Sequence, residues 1–439
     1  MIKCDIYKPS GIDWLGDIPN DWEFKRLKDF GSFQNGVSKG KEYFGFGCPF
    51  VSYGNVYNNT ISIDKIDKLA NSNKEEQKLY SVREGDVFFT RTSETIDEIG
   101  IASTCQSTIE TATFSGFVIR FRQNGKVLSK EFSNYFFKAN SNRLFLSNEI
   151  NIVTRASLSQ GVLGNLPVLI PSKKEQATIA NYLDTKVQAL DKKISLLTQK
   201  ANYYKEYRKS IINETVCKGL DKTVKLKDSG IDWIGQIPKH WEVKRLKDSF
   251  KLFTGNSISD KGLYEDRNNS IDYIATKDID FETGKLKYDN GIYIPIGNKE
   301  FKIAKKHSIL ICLEGASAGK KIGFTDRDVC FVNKLCSIKS FSKNSNDKYL
   351  YYFTQSPLFE KQFFAILNGL IGGVALSLIK YFDVVKPTLK EQTEIATYLD
   401  NKTQTIDKIV NNINTQIATL KELRKTLIND VVTGKIKVC

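Results

Sequence analysis

The chain is organised around the stretch SGIDWLGDIPNDWEFKRLKD at Ser10–Asp29, which occurs again as SGIDWIGQIPKHWEVKRLKD at Ser229–Asp248. Fifteen of these twenty positions are identical. A second block, PSKKEQATIANYLD at Pro171–Asp184, returns as PTLKEQTEIATYLD at Pro387–Asp400. Self-similarity at a fixed period is the signature of a repeat architecture. We therefore interpret the chain as a tandem duplication, in which each half is a globular part followed by the second block.

The regions between the repeated blocks differ from each other. Residues 30–165 and 249–381 show little similarity, although they occupy equivalent places in the two halves. This contrast indicates a common frame that carries two different variable regions.

The globular parts show the patterns of both strands and helices. Buried strands are predicted at Val82–Arg91 and Lys306–Glu314. Phe117–Arg122 alternates as a strand, which places Arg120 and Arg122 on one face. Amphipathic helices rich in aromatic residues are predicted at Phe132–Leu146 and Tyr349–Phe364. The globular parts are therefore expected to be mixed α/β.

The second repeated block begins a long helix in each half. The prolines at 171 and 387 should stop any preceding element, and the apolar residues that follow recur four and three positions apart. A narrow apolar stripe between polar flanks is typical of a coiled-coil seam. The polar exceptions are Thr403, Arg208 and Arg424. The predicted seam comprises Leu183, Val187, Leu190, Ile194, Leu197, Leu399, Ile406, Val410, Ile413, Ile417 and Leu420.

The length of the helices suggests their arrangement. A single helix over residues 173–217 would be roughly 65 Å long at ~1.5 Å per residue. Because the second globular half begins where this helix ends, an antiparallel second helix would return toward the first half. We therefore predict an α+β fold: two mixed α/β domains separated by two long antiparallel coiled-coil helices, in a pseudo-twofold tandem repeat. In the alternative, each helix packs only on its own domain.

Composition restricts the class of protein. The 439 residues carry 65 Lys+Arg against 50 Asp+Glu, for a net charge of +15, and 41% of them are hydrophobic. This composition excludes wholesale disorder. No apolar run approaches the ~20 residues of a membrane span, and no apolar signal core opens the chain. We therefore expect a cytoplasmic protein of several domains with no membrane partner.

The patterns of catalytic and metal sites are incomplete. Gly315–Lys321 has three residues between its glycines, where a phosphate loop has four. Glu23–Lys25 and Glu242–Lys244 match the Glu-x-Lys of metal-dependent nucleases but lack the upstream acid. There is no Gly-x-Gly-x-x-Gly, no Asn-Pro-Pro-Tyr and no Cys-x-x-Cys, and the histidines are His240 and His307. We predict that this chain has no catalytic residue, no metal and no cofactor of its own.

The net positive charge favours a nucleic-acid partner, because a basic surface attracts phosphate. Two different variable regions on one frame suit two different half-sites on one duplex. Loops with cationic and amide side chains can reach base edges, although each such loop could equally satisfy only its own backbone. The candidate DNA-binding residues are Lys39, Lys41, Arg91, Thr92, Ser93, Lys320, Lys321, Asn333 and Lys334.

Both repeated motifs resemble those of a known family. Trp-Leu-Gly-x-Ile-Pro-x-x-Trp at 14–22, followed by Lys25-Arg-Leu27, is similar to a repeated region of the specificity subunit of type I restriction–modification enzymes. Pro-x-x-x-Glu-Gln-x-x-Ile-x-x-x-Leu at 171–183 is similar to another. Both occur twice, in order, over nearly the whole chain. The family often has Pro-Pro before Glu-Gln, whereas this chain has Pro171-Ser172 and Pro387-Thr388.

This resemblance implies where the domains of the chain begin and end, and what each of them does. It implies target-recognition domains at 1–172 and 220–388, a central helix at 173–219 and a C-terminal helix at 389–439. Each recognition domain would read one half of a split, asymmetric sequence in double-stranded DNA, and the helices would fix the spacer between the halves.

The resemblance also implies partners and their cofactors. Two methyltransferase subunits would dock on the chain and use S-adenosylmethionine to methylate adenine at N6. Restriction motor-nuclease subunits would add ATP-driven, Mg-dependent chemistry. None of these cofactors would bind this chain.

Two other classes of function are open to the sequence. The chain could be a DNA nuclease or methyltransferase with its own active site and duplicated accessory domains, which a methylation assay on the purified chain would reveal. It could also be a purely structural coiled-coil scaffold, which would show no specific duplex binding when methyltransferase is supplied.

Overall fold

The computed structural model of the chain describes residues 6–12, 15–59, 61–95, 98–149, 156–367 and 372–438. Asp13 and Trp14 of the first repeated block lie outside the described residues. The chain forms two compact units. The first contains Met1–Leu197 and Gln416–Cys439, and the second contains Thr198–Thr415. Within the described ranges, no helix is both long enough and apolar enough to span a membrane.

The first unit is a mixture of short strands and helices followed by one long helix, whose residues from Thr198 onward belong to the second unit. Its elements are β1 Tyr7–Pro9, β2 Asp17–Pro19, β3 Glu23–Arg26, β4 Gly31–Asn35, β5 Phe44–Val51, α1 Tyr53–Tyr57, β6 Leu69–Ala70, α2 Lys74–Leu79, β7 Val87–Thr90, β8 Thr92–Ser93, β9 Ala102–Thr104, β10 Thr113–Phe114, β11 Val118–Gln123, α3 Lys130–Phe136, α4 Asn140–Glu149, β12 Ala156–Ser157, α5 Gln160–Gly164, β13 Pro167–Ile170 and α6 Lys173–Lys218.

The second unit repeats the first and last elements of this order, but its described residues contain only strands and 3-10 turns where the first unit has α1 and α2, and the residues of its long helix from Gln416 onward belong to the first unit. Its elements are β14 Leu226–Asp228, β15 Gln236–Pro238, β16 Glu242–Arg245, β17 Phe250–Thr254, β18 Ser270–Ile274, β19 Tyr293–Pro295, β20 Ile303–Ala304, β21 Ile309–Cys312, β22 Ile322–Phe324, β23 Val329–Phe331, β24 Leu335–Ser340, α7 Asp347–Thr354, α8 Pro357–Ala365, α9 Leu376–Ile379, β25 Asp383–Lys386 and α10 Leu389–Val432.

A four-stranded antiparallel sheet lies at the centre of each unit. Its strand order is β4-β11-β7-β9 in the first unit and β17-β24-β21-β22 in the second. In β11, Ile119 and Phe121 belong to the core cluster that also contains Phe132 of α3, whereas Val118 belongs to a smaller cluster. This two-residue alternation is expected of a strand whose two faces are both covered. The prediction of mixed α/β domains is confirmed.

Alternation also explains the two arginines of β11. Arg120 and Arg122 lie on one face, as predicted, and both guanidinium groups donate to the Ser81 carbonyl, at 2.6 and 2.9 Å. Arg122 also forms a bidentate pair with the buried Asp86 carboxylate, with both distances 2.6 Å. Both guanidinium groups therefore stabilise the first unit through bonds to its own backbone and to Asp86.

Two predicted helices are wrong in their extent. Phe132–Leu146 is divided between α3 and α4, because the Asn142 side chain donates to the Phe136 carbonyl, at 2.6 Å, where α3 ends. Tyr349–Phe364 is divided between α7 and α8. Pro357 begins α8, and a proline has no N–H to continue the preceding helix.

The two predicted buried strands are shorter than expected. In the first, Asp86 accepts the Arg83 N–H at 2.7 Å and Gly85 has a φ of +83°, so the chain turns before β7 begins. In the second, His307 has a φ of +65°, which places a turn before β21. A period-two pattern alone does not show where such a turn ends.

The two long helices are continuous, as predicted, and they run antiparallel within each unit. In the first unit, Glu175 of α6 lies near Gly434, beyond the end of α10, and Asp191 pairs with Arg424. In the second unit, Arg208 pairs with Asp407, and Ile211, farther along α6, shares a cavity with Tyr398.

The predicted seam residues differ in burial. The buried ones are Leu183, Val187, Leu399, Ile406, Val410 and Ile413. The half-buried ones are Leu190, Ile194, Leu197, Ile417 and Leu420. Two of the polar exceptions, Arg208 and Arg424, form the ion pairs just described, so the interruptions in the stripe carry interhelical contacts.

Candidate nucleic-acid interface

The two repeated motifs meet in space in both units. The indole N–H of Trp22 donates to the Glu175 carboxylate at 3.2 Å, and that of Trp241 donates to Glu391 at 3.0 Å. Glu175 also accepts the Ser172 N–H at 3.0 Å, so it caps the start of α6. The tryptophan of one motif is therefore joined to the glutamate of the other.

The glutamine that follows each glutamate holds the globular part onto its helix. Gln176 is 1% exposed. Its carbonyl accepts the Ser129 N–H at 2.7 Å, and its amide donates to the carbonyls of Val127 and Pro171 at 3.1 and 3.0 Å. The corresponding partners of Gln392 are Asn346, Asn344 and Pro387. Both halves of the side-chain amide are used, which explains why glutamine suits this position in both copies of the motif.

A third repeated contact joins a helix of the globular part, α3 or α7, to the long helix of the same half. The Tyr135 hydroxyl donates to Asp184 at 2.5 Å, and the Tyr352 hydroxyl donates to Asp400 at the same distance. Burial and the neighbouring carboxylate raise the pKa of both tyrosines, so both hydroxyls remain protonated donors. The frame therefore presents both variable regions through the same set of bonds.

Glu391 makes the stability of the second unit dependent on pH. Burial alone would raise the pKa of this carboxyl, but hydrogen bonds from Trp241, Thr388 and His240 outweigh burial and lower the pKa from 4.5 to about 2. A lowered pKa stabilises the fold above pH 4.5, and this stabilisation is lost as the pH falls toward 2. Glu391→Gln should therefore cost about 1–2 kcal/mol at neutral pH, since solvent screens part of the interaction of this carboxylate, and the difference from wild type should nearly vanish near pH 2. Urea unfolding between pH 7 and pH 2 measures this effect.

Glu394→Gln is the matched control for this prediction. Glu394 lies one turn farther along α10, with its side chain 53% exposed, and its substitution should leave the pH profile of unfolding unchanged. A constant difference between Glu391→Gln and wild type across the acid range would contradict the assignment.

One end of the central sheet adjoins the start of the long helix, and we call it the fixed end. The opposite end of the sheet lies away from that helix start, and we call it the free end. In the first unit the fixed end is at Gly31, Val87 and Gln123. There the Gln123 side chain makes two bonds, both 2.9 Å, to the backbone of Leu128 in the loop that Gln176 holds. The free end is at Asn35, Thr90 and Val118 in the first unit, and at Thr254, Cys312 and Leu335 in the second.

Three loops that are distant in sequence meet at the free end of the first unit. The Val37 carbonyl accepts the Gly116 N–H at 2.8 Å, and the Arg91 N–H donates to the Phe117 carbonyl at 2.9 Å. The Arg91 guanidinium also donates to the Gly116 carbonyl, at 3.4 Å. The structure thus brings Arg91, Thr92 and Ser93 beside the turn at 115–117 and the segment that leads to Lys39 and Lys41.

Some of the predicted residues of the first unit have partners within the protein. The Ser93 hydroxyl donates to Glu98, and the Lys39 ammonium lies 3.5 Å from the Glu76 carboxylate. Thr92 pairs with Ser157 between β8 and β12. Arg91 and Thr92 are half-buried, whereas Lys41 is exposed. Of these side chains, Arg91 and Lys41 are the best placed to reach a ligand.

The second unit builds its free end in the same way. The Leu313 N–H donates to the Lys334 carbonyl at 2.9 Å, so Asn333 and Lys334 occupy the turn that corresponds to residues 116 and 117, and both are exposed. Lys320 is exposed, with its ammonium 5.9 Å from the Phe364 ring centroid. Lys321 is half-buried and donates to the Thr276 carbonyl at 3.1 Å, which gives it a role within the domain.

Sequence reasoning missed two features of the free end. Phe117 is 63% exposed in the turn next to Arg91. Gln160 donates to the Asn35 side chain at 3.0 Å, which adds two amides at the same end. Sequence reasoning placed Phe117 in the strand Phe117–Arg122, whereas the strand begins at Val118. An asparagine 125 residues from its partner carries no pattern that sequence reading could detect.

Comparison with known proteins gives the family context. A family model described as the type I restriction modification DNA specificity domain matches residues 19–202 and 238–419. The MjaX and MjaIX specificity subunits of type I restriction enzymes, from Methanocaldococcus jannaschii, are each 24% identical to the chain. The alignments cover 100% of the chain and 99% of MjaX, and 97% of the chain and 95% of MjaIX.

Solved structures show the same fold. A chain from a study of complex assembly and conformational transition of the type I R-M system aligns over 95% of this chain and 99% of its own length, with a TM-score of 0.73 at 14% identity. The HsdS subunit of Thermoanaerobacter tengcongensis aligns over 95% and 98%, with a TM-score of 0.53 at 15% identity.

Proposed function

The chain belongs to the type I restriction–modification DNA specificity family, and we propose that it reads a bipartite, asymmetric DNA target, with one half of the target read by each unit. Its relatives are specificity subunits, and this chain is likewise a non-catalytic specificity subunit. The task of such a subunit is recognition, so its target would be read by the loops that could reach a duplex.

One observation supports the division into two half-sites. An equivalent backbone hydrogen bond lies at the free end of both sheets. The Arg91 N–H donates to the Phe117 carbonyl in the first unit, and the Leu313 N–H donates to the Lys334 carbonyl in the second. The side chains displayed by these equivalent turns are different, with Gly116 and Phe117 in one and Asn333 and Lys334 in the other. A duplicated scaffold that displays different side chains suits two different base sequences.

The frame supports a second part of the proposal, the assembly with partners. The bonds of Glu175, Gln176 and Asp184 on α6 recur at Glu391, Gln392 and Asp400 on α10, so the two variable regions are held by equivalent long helices. Two methyltransferase subunits would dock on this repeated frame, and restriction motor-nuclease subunits would join them in the cytoplasm. S-adenosylmethionine, ATP and Mg would be bound by those partners.

Mapping of N6-methyladenine tests the proposal. We expect cells that express this chain with its methyltransferase partner to methylate one motif with two specified halves and an unspecified spacer. Cells that express the methyltransferase alone provide the control and should show no such motif.

A continuous motif, or methylation of DNA by the purified chain alone, would contradict the proposal. The first result would remove the assignment of one half-site to each unit. The second would place an active site in this chain.

A further inference from the structure

We infer that Phe117 is a specificity-determining residue of the first unit, whose ring contacts the apolar part of a base in the first half-site. This inference rests on the proposed function and deepens it, because it names the chemistry of one contact. The ligand is either a thymine C5-methyl group or the face of a base at an opened step, and both present an apolar surface to an aromatic ring.

The backbone of the turn that carries Phe117 is held by hydrogen bonds on both sides. The Gly116 N–H donates to the Val37 carbonyl at 2.8 Å, and the Phe117 N–H donates to the Ser115 hydroxyl at 3.2 Å. The Phe117 carbonyl accepts the Arg91 N–H at 2.9 Å. A Cβ at Gly116 would lie 2.2 Å from the Ser38 hydroxyl oxygen, so glycine allows the close approach of the two loops. The backbone on both sides of the ring is therefore held in place.

Among residues 115–118, only Phe117 is exposed. Ser115, Gly116 and Val118 are buried, whereas Phe117 is 63% exposed. A single exposed phenylalanine is ordinary on a protein surface, so exposure alone carries no conclusion. The inference rests on its position, since Phe117 lies at the free end of the sheet, directly after Gly116, whose carbonyl accepts the Arg91 guanidinium at 3.4 Å.

The second unit supports the assignment by contrast. Its equivalent turn displays Lys334, held by the same backbone bond from Leu313 at 2.9 Å. A lysine can donate to guanine or to a phosphate, whereas a phenylalanine can make only apolar or stacking contacts. Two units that read different half-sites are expected to differ at such a position.

Phe341 provides a matched control. It is 64% exposed, and its N–H donates to the Ser249 carbonyl at 3.1 Å, at the fixed end of the sheet of the second unit. Phe341→Ala therefore removes an exposed ring of the same size from the fixed end, which is opposite the candidate DNA-binding loops of the free end.

The test compares variants in complex with the methyltransferase partner, on duplexes that contain the motif mapped for the wild type. Phe117→Ala should lower affinity for this duplex about tenfold, since a base contact of this kind commonly contributes a factor of that order. It should also relax the motif at one position of the first half-site. Phe117→Leu should keep most of the affinity, and Phe341→Ala should match the wild type. Equal thermal melting of all variants would show that the fold is unchanged.

Two substituted duplexes separate the two sources of the apolar contact. If the ring touches a methyl group, replacement of one thymine by uracil should weaken the wild type but not Phe117→Ala. If the ring stacks on a base, 2-aminopurine at that step should brighten with the wild type but not with Phe117→Ala. Either result supports the inference.

The inference would be overturned if Phe117→Ala kept both the motif and the affinity of the wild type. It would also be overturned if neither substituted duplex distinguished Phe117→Ala from the wild type. A wild-type complex that recognises no bipartite motif would instead overturn the proposed function, and the inference with it.

Discussion

Trp241→Ala should destabilise the second unit by about 3–5 kcal/mol, the range expected for removing a buried aromatic side chain. Trp241 is 1% exposed and belongs to the main core cluster of that unit. Its indole also donates to Glu391 at 3.0 Å, so the substitution removes one of the donors to a half-buried carboxylate. Hydrogen exchange followed by mass spectrometry in urea would report the loss separately for peptides of β16, β25 and α10.

Trp233→Ala provides the control within the same repeated motif. Trp233 is 43% exposed, so its replacement should change the free energy of unfolding by less than about 1 kcal/mol. Peptides of the first unit provide an internal reference for both variants. Equal losses in Trp233→Ala and Trp241→Ala would contradict the role assigned to Trp241.

The frame could be predicted because its signals are local and repeated. The duplication of Ser10–Asp29 and Pro171–Asp184 showed two equivalent halves, and the alternation of four and three indicated helices that the structure confirms as α6 and α10. The Glu-Gln of the second block stood out as a motif. Its partners did not, because Trp22 lies 153 residues from Glu175.

The ends of elements were less predictable, because they depend on single side-chain bonds. The division between α3 and α4 depends on the Asn142 amide reaching the Phe136 carbonyl. Pro357 was a visible signal that should have divided the predicted helix Tyr349–Phe364, since a proline cannot continue a helix from the preceding turn.

The free end of each sheet could be predicted only in part. Arg91 and Asn333-Lys334 could be chosen by residue type and by their position next to strands. That Arg91 lies near the loop of Val37, and Lys334 near Leu313, depends on the order of the strands in the sheet. This order places residues that are far apart in sequence next to each other. Residue type also suggested Lys321, which the structure places against the Thr276 carbonyl. The DNA-binding role of all these residues remains a prediction.

Replacement of residues 30–165 by a second copy of residues 249–381 should give a chain whose two half-sites are the same. The junctions are equivalent, because the Leu27 N–H donates to the Leu166 carbonyl at 3.1 Å and the Leu246 N–H donates to the Phe382 carbonyl at 2.9 Å. The frame bonds are equivalent too, so Tyr352 of the copied region would find Asp184 in place of Asp400. The reciprocal chain, with two copies of residues 30–165, is the matched control.

The measurement is the N6-methyladenine motif of cells that express each exchanged chain with the methyltransferase partner. If each unit reads one half-site, the first chain methylates a motif in which both halves are the original second half-site, and the reciprocal chain methylates one built from the first. Retention of the original asymmetric motif by either chain, or a motif related to neither half-site, would contradict the assignment of one half-site to each unit.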